Sequence, residues 1–136
     1  MLGKQIMVPL WHIYHVKNCR HAKPEPKDKF VVIVCRDVQA MGFFINTEIN
    51  SYIKNRPELL ACQVVIEASD HKCLDWKSYV DCRKLFPFED AELSIRNSVI
   101  KQTREAIKSA VNISETLVER HKKLILGEPK PSPKSS

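Results

Sequence analysis

At 136 residues and 43% hydrophobic content, the chain has the length of one domain, with a core that needs neither disulfide nor metal. No apolar run approaches the ~20 residues of a membrane helix, and Ile6–Trp11, broken by Pro9, matches neither a signal nor a transit peptide, so a soluble cytoplasmic protein is expected. The net charge of +6 is divided: residues 1–30 and 120–136 each carry +4 and the body between them −2, which suits loose phosphate contact through the two ends or simply solvates them.

In chain order, Leu10–Val16 alternates Trp11, Ile13 and His15 against His12, Tyr14 and Val16, the pattern of a first strand. Lys17–Lys29, with Pro24 and Pro26, reads as an exposed loop long enough to be functional. Phe30–Cys35 is a continuous apolar, β-branched run, as in a strand buried on both faces. Gly42–Thr47 is the third strand, and Arg56-Pro57 ends an irregular segment. Leu60–Glu67 is the fourth strand and Ser78–Cys82 the fifth, which Arg83–Phe88 continues past a bend at Pro87.

Helical spacing then begins near Asn97, with Val99, Ile100, Thr103, Ile107, Ala110 and Val111 on one face and Asn97 or Ser98 as the cap. A second stripe, Ile113 to Ile125, belongs either to the same helix bent near Asn112 or to a new one capped by Ser114. It covers barrel surface or forms an oligomer contact. Gly127 stops it, and Glu128–Ser136 has the composition of a disordered tail. The resulting division is a domain over 1–112, an additional helix over 113–126 and a basic tail over 127–136.

Several chemistries are poorly served by these residues. Three glycines leave no phosphate-cradling loop, which removes nucleotide-hydrolysing and dinucleotide enzymes, and no nucleophile elbow surrounds Ser78 and Asp81. Five cysteines without paired spacing are expected as reduced thiols, Cys35 and Cys62 in the core. His71-x-Cys73, Cys82 and Cys19-x-His21 match no zinc spacing, so neither metal nor cofactor is expected. His12 and His15 fall on opposite faces of one strand, so at most one of them serves any given site.

Five strands in a tight meander followed by a helix describe an α+β fold: a small SH3-like β-barrel of about five antiparallel strands with a C-terminal amphipathic helix and a helical extension. The order and type of the segments resemble the MazF/PemK family of toxin ribonucleases. Lys29-Phe30-Val31-Val32-Ile33-Val34 stands where that family has an Arg-Pro-led apolar strand, and Phe44-Ile45-Asn46-Thr47 where it has a strand ending in Ser or Thr. Leu74-Asp75-Trp76-Lys77-Ser78-Tyr79-Val80 resembles its Leu-Asp-x-x-Ser-x-Val segment, and Glu92-Leu93 with the helix from Asn97 resembles its close. The resemblance spans roughly residues 10–112. Departures are specific: Leu10-Trp11 replaces the family's Gly-Asp pair, and Lys29-Phe30 replaces its Arg-Pro pair.

The resemblance implies a metal-independent endoribonuclease acting on single-stranded RNA, a homodimer, and an antitoxin partner that fills the RNA groove. On it, Lys29 and Thr47 are the catalytic candidates, and Lys27, Arg36 and Asn46 the RNA-binding ones. Lys29 supplies charge but not the bidentate fork of an arginine. Thr47 has a second role open to it as an ordinary β-branched strand-end residue. The alternative function is a non-catalytic barrel that binds protein or nucleic acid.

Overall fold

The computed structural model describes residues 7–127; the expected tail beyond Gly127 lies outside the described residues. Six antiparallel strands form one curled sheet, a half-barrel: β1 (His12–Cys19), β2 (Lys27–Asp37), β3 (Gln39–Asn46), β4 (Gln63–Ile66), β5 (Ser78–Phe88) and β6 (Ser94–Ser98), in the order β4-β5-β3-β2-β1-β6. Two single helical turns, α1 (Ser51–Lys54) and α2 (Pro57–Leu60), lead from β3 into β4. Helices α3 (Lys101–Ile113) and α4 (Glu119–Leu126) follow β6. Among the described residues no helix is long and apolar enough to cross a membrane.

The apolar run at the centre of β2 is buried on both faces. Val32 and Val34 join Ile13, Phe43, Ile45, Val64 and Ile66 beneath the helices, meeting Ile107, Ala110 and Val111 of α3 and Ile125 of α4. Val31 and Ile33 turn the other way, into a second cluster with Tyr14, Val16, Phe88 and Leu93. The α4 helix is held within the monomer: Arg120 Nη2 donates to Asp37 Oδ1 at 2.6 Å, and His121 Nε2 lies 3.2 Å from Asp37 Oδ2.

Four local expectations change. The expected loop over 17–29 shrinks, because β1 runs on to Cys19 and β2 begins at Lys27. A sixth strand, Ser94–Ser98, was not foreseen; pairing with β1 makes it a strand, since most of its side chains are exposed. That pairing removes Asn97 and Ser98 from helix capping. Ile100 is the cap residue, its N–H donates to the buried His71 Nε2 at 3.3 Å, and Asn97 Oδ1 accepts from Cys73 N at 2.7 Å. Ser114 caps a turn rather than a helix, its Oγ accepting from the N–H groups of Thr116 and Leu117 at 3.1 and 3.3 Å.

Gly42 sits where the sheet bends. The β2–β3 register shifts between Ile33 and Cys35, and the β3–β5 register between Gly42 and Phe44. A Cβ on Gly42 stands 2.5 Å from Val32 O and 2.8 Å from Ile33 Cδ1, closer than van der Waals contact allows. Gly42→Ala is therefore expected to destabilise the fold by about 3 kcal/mol, read as a lowered urea midpoint. At the tip of the β2–β3 hairpin, Val38 is 92% exposed with φ of 68°. A left-handed β-branched residue costs roughly 1–2 kcal/mol and glycine's extra chain entropy roughly 0.5–1, so Val38→Gly is expected to raise stability by about 0.5–1 kcal/mol. A higher urea midpoint with unchanged slope checks it.

Candidate RNA-binding groove

Register alone brings one set of side chains together. On β2, Lys29 follows the alternation of Val31 and Ile33 and so faces the second cluster, away from α3 and α4. Val31 pairs with Phe44, which puts Phe44 and Asn46 on that face of β3; Phe44 pairs with Asp81, which adds Asp81 and Arg83 of β5. Two residues of β3, from Gly42 to Phe44, then span the distance from Asp81 to Phe86 on β5. The excess length bulges out over Cys82–Leu85 and brings Phe86 back over Phe44.

The product is an open groove with two limbs sharing Lys27, Lys29, Asn46, Asn50 and Arg83. The first limb, about 540 Å³, adds Thr47 and Glu48 at the end of β3. The second, about 640 Å³, adds Arg20, His21, Lys23, Lys84 and Phe86. Six cationic side chains line the second limb against one carboxylate, Asp81.

Lys29 is half-buried at the junction. Its Nζ donates to Asn46 Oδ1 at 2.5 Å and lies 4.8 Å from the centroid of the Phe44 ring. Burial of the ammonium pulls its pKa below the ordinary lysine value, and Lys27 pushes the same way, while Asp81 opposes them in part. Asp81, 8% exposed, accepts from Arg83 Nε and Nη2 at 2.9 Å each and from Gln63 Nε2 at 2.8 Å. Burial raises the Asp81 pKa, but the hydrogen bonds from Arg83 and Gln63 outweigh it and leave the carboxyl below its usual range. The Arg83 guanidinium is thus oriented by a carboxylate that cannot follow it into solvent.

Of the residues expected from sequence, Lys27, Lys29, Asn46 and Thr47 line one limb. Arg36 is elsewhere. Seven residues along β2 from Lys29 is roughly 23 Å of strand, and there its Nη1 and Nη2 donate to Asp90 at 3.2 and 2.6 Å. Neither His12 nor His15 lines the groove; His12 Nδ1 is 3.0 Å from Leu10 O, and His15 pairs with Asp28 at 3.5 Å. Cys19 and Cys82 belong to clusters on opposite faces of the sheet, and His71 is engaged by Glu67 O and Ile100 N.

Several groove residues lie outside the set expected from sequence, among them Arg83, His21, Lys84 and Phe86. Arg83 had a signal: Asp81-x-Arg83 on a strand places opposite charges on one face, which marks a fixed ion pair. His21 had only a loop position beside Cys19, and nothing local points it toward Phe86.

The curled antiparallel half-barrel with α3 and α4 on one face is a MazF-like fold. Among solved structures the chain is similar to the Mycobacterium tuberculosis toxin MazF-mt6, with a TM-score of 0.55 and 18% sequence identity over 75% of this chain and 94% of that one. The likeness is one of fold. No family model matches the sequence, and no curated protein matches it.

Proposed function

We propose that the groove binds single-stranded RNA and cleaves it without a metal. The observation that carries this reading is the convergence of Lys29, Arg83 and Thr47 on one open limb of a MazF-like fold. In such a reaction a ribose 2′-hydroxyl gives up its proton to solvent as its oxygen bonds to the adjacent phosphorus, and the P–O5′ bond breaks, the 5′-oxygen of the next nucleotide taking a proton as it leaves. The products are a 2′,3′-cyclic phosphate and a 5′-hydroxyl. Charge accumulating on the phosphorane oxygens needs fixed donors, and Arg83, held by Asp81, offers the planar guanidinium that Lys29 lacks. Lys29, with its lowered pKa, donates a proton to the leaving oxygen more readily than a free lysine. The Thr47 hydroxyl donates to a phosphate oxygen, and Lys27 and Asn46 hold the neighbouring backbone. A homodimer and an antitoxin segment that competes for the groove belong to the same proposal.

A non-catalytic binding module is the second reading. It is favoured by the engagement of both cations, Lys29 with Asn46 and Arg83 with Asp81. Incubating a long unstructured RNA with the protein in excess chelator separates the two. Cleavage at discrete sites, leaving cyclic-phosphate ends and lost in Lys29→Ala and Thr47→Ala, supports the enzyme. RNA that stays intact at high protein concentration removes cleavage and leaves binding.

A further inference from the structure

A phosphate site has no use for aromatic walls, yet the second limb has them. Phe44 and Phe86 stack with centroids 4.4 Å apart and planes 14° from parallel. His21 leans on Phe86 at 5.1 Å and 32°, and its Nε2–H donates to Pro87 O at 2.8 Å, which fixes the ring. Beneath them Phe88 is wholly buried and meets His21 edge-on at 5.4 Å, so a packed core residue supports the platform. Phe44, Phe86 and His21 themselves are only half-buried and border the groove. The exposed Lys84 rests its Nζ 5.1 Å from the Phe86 centroid.

We infer that this limb is a nucleobase-stacking subsite for the nucleotide beside the phosphate held at Lys29 and Arg83. The inference rests on the single-stranded RNA reading above and adds to it the part of the ligand that is not charge. A base entering the limb takes the ring face over which Lys84 now lies, and the displaced ammonium turns to the backbone phosphate it previously had no partner for. Aromatic faces accept any base, so the subsite sets affinity and register along the strand rather than sequence. Arg83 is paired with Asp81 and Arg20 with Glu92, and the four lysines that remain, Lys23, Lys27, Lys29 and Lys84, make the limb complementary to a polyanion rather than to a neutral aromatic ligand.

The test compares three probes on the full chain by fluorescence anisotropy: a labelled 2′-O-methyl RNA heptamer, which lacks the attacking hydroxyl, an abasic heptamer of equal charge, and inorganic polyphosphate as competitor. The wild type is expected to bind the heptamer with bases at least about tenfold tighter than the abasic one, and Phe86→Leu to reduce that preference to about threefold or less. Binding of the abasic chain by the wild type is expected to be abolished by polyphosphate. Equal wild-type affinity for the two heptamers overturns the subsite while leaving RNA binding intact. Failure to bind either heptamer overturns the RNA reading itself. The wild-type comparison needs no variant, so it decides the matter even where Phe86→Leu does not fold.

Discussion

Lys29→Met is expected to lower chelator-resistant RNA cleavage by about 100-fold or more with no loss of thermal stability. The two halves of this expectation have one cause. Burial of the ammonium and the nearby Lys27 lower the Lys29 pKa, so the unfolded chain holds that proton more firmly than the folded one. The contribution of Lys29 to stability therefore rises as pH climbs from the lowered value towards the ordinary lysine value of about 10.4, and at neutral pH the charged group opposes folding. Methionine keeps the length of the side chain and removes the charge. The lost hydrogen bond to Asn46 is replaced by water, because Asn46 is itself partly exposed at the groove. Calorimetry of both proteins alongside the cleavage assay checks the pair of outcomes. A melting temperature that falls by several degrees together with activity makes Lys29 a structural residue. The buried thiols and Tyr14 lower the stability of both proteins in the alkaline range, so the readout is the difference: a gap between wild type and Lys29→Met that does not narrow as pH rises would falsify the charge argument.

Arg83→Ala, by contrast, is expected to cost the fold on the order of 2–3 kcal/mol. It leaves the carboxylate of Asp81 buried with Gln63 as its remaining side-chain donor. The figure lies below that for a fully buried pair because the Arg83 side chain keeps 30% of its surface in solvent. In the wild type the Asp81 carboxyl is held below its usual range, so its contribution is complete above about pH 4 and is lost as pH falls through the lowered value. Without Arg83, burial dominates and the carboxyl protonates at higher pH, which moves the acid-unfolding midpoint upward. A circular-dichroism titration measures this, and an unchanged midpoint sinks the idea that the pair is an anchored unit. Arg83→Lys separates the residue's two roles: it retains a positive partner for Asp81 and most of the stability, but not the fork, so cleavage falls more than stability does.

Much of the fold was legible because it is written in short-range pattern. The run Phe30–Cys35 could only be a strand buried on both faces, and it is the centre of β2. The stripe of Thr103, Ile107, Ala110 and Val111 is the buried face of α3. Strand β6 was illegible for the complementary reason: Ser-Ile-Arg-Asn-Ser buries little and alternates nothing, and only its ladder with β1 makes it extended. The second stripe divided because Ser114 turns the chain, leaving Ile113 exposed and Ile125 buried.

For the site, amino-acid order by itself determined the candidates at two strand ends, Lys29 beside Lys27 and Asn46 beside Thr47, since strand position and residue chemistry are local properties. Tertiary structure alone decided which cations meet. Antiparallel register carries Arg83 to Lys29 across β3, and the bulge opposite Gly42 turns Phe86 onto Phe44, while a strand that cannot bend back on itself keeps Arg36 with Asp90 at the far end. The groove is a consequence of pairing between β3 and β5 residues 33 to 48 positions apart, a distance over which no local periodicity carries information.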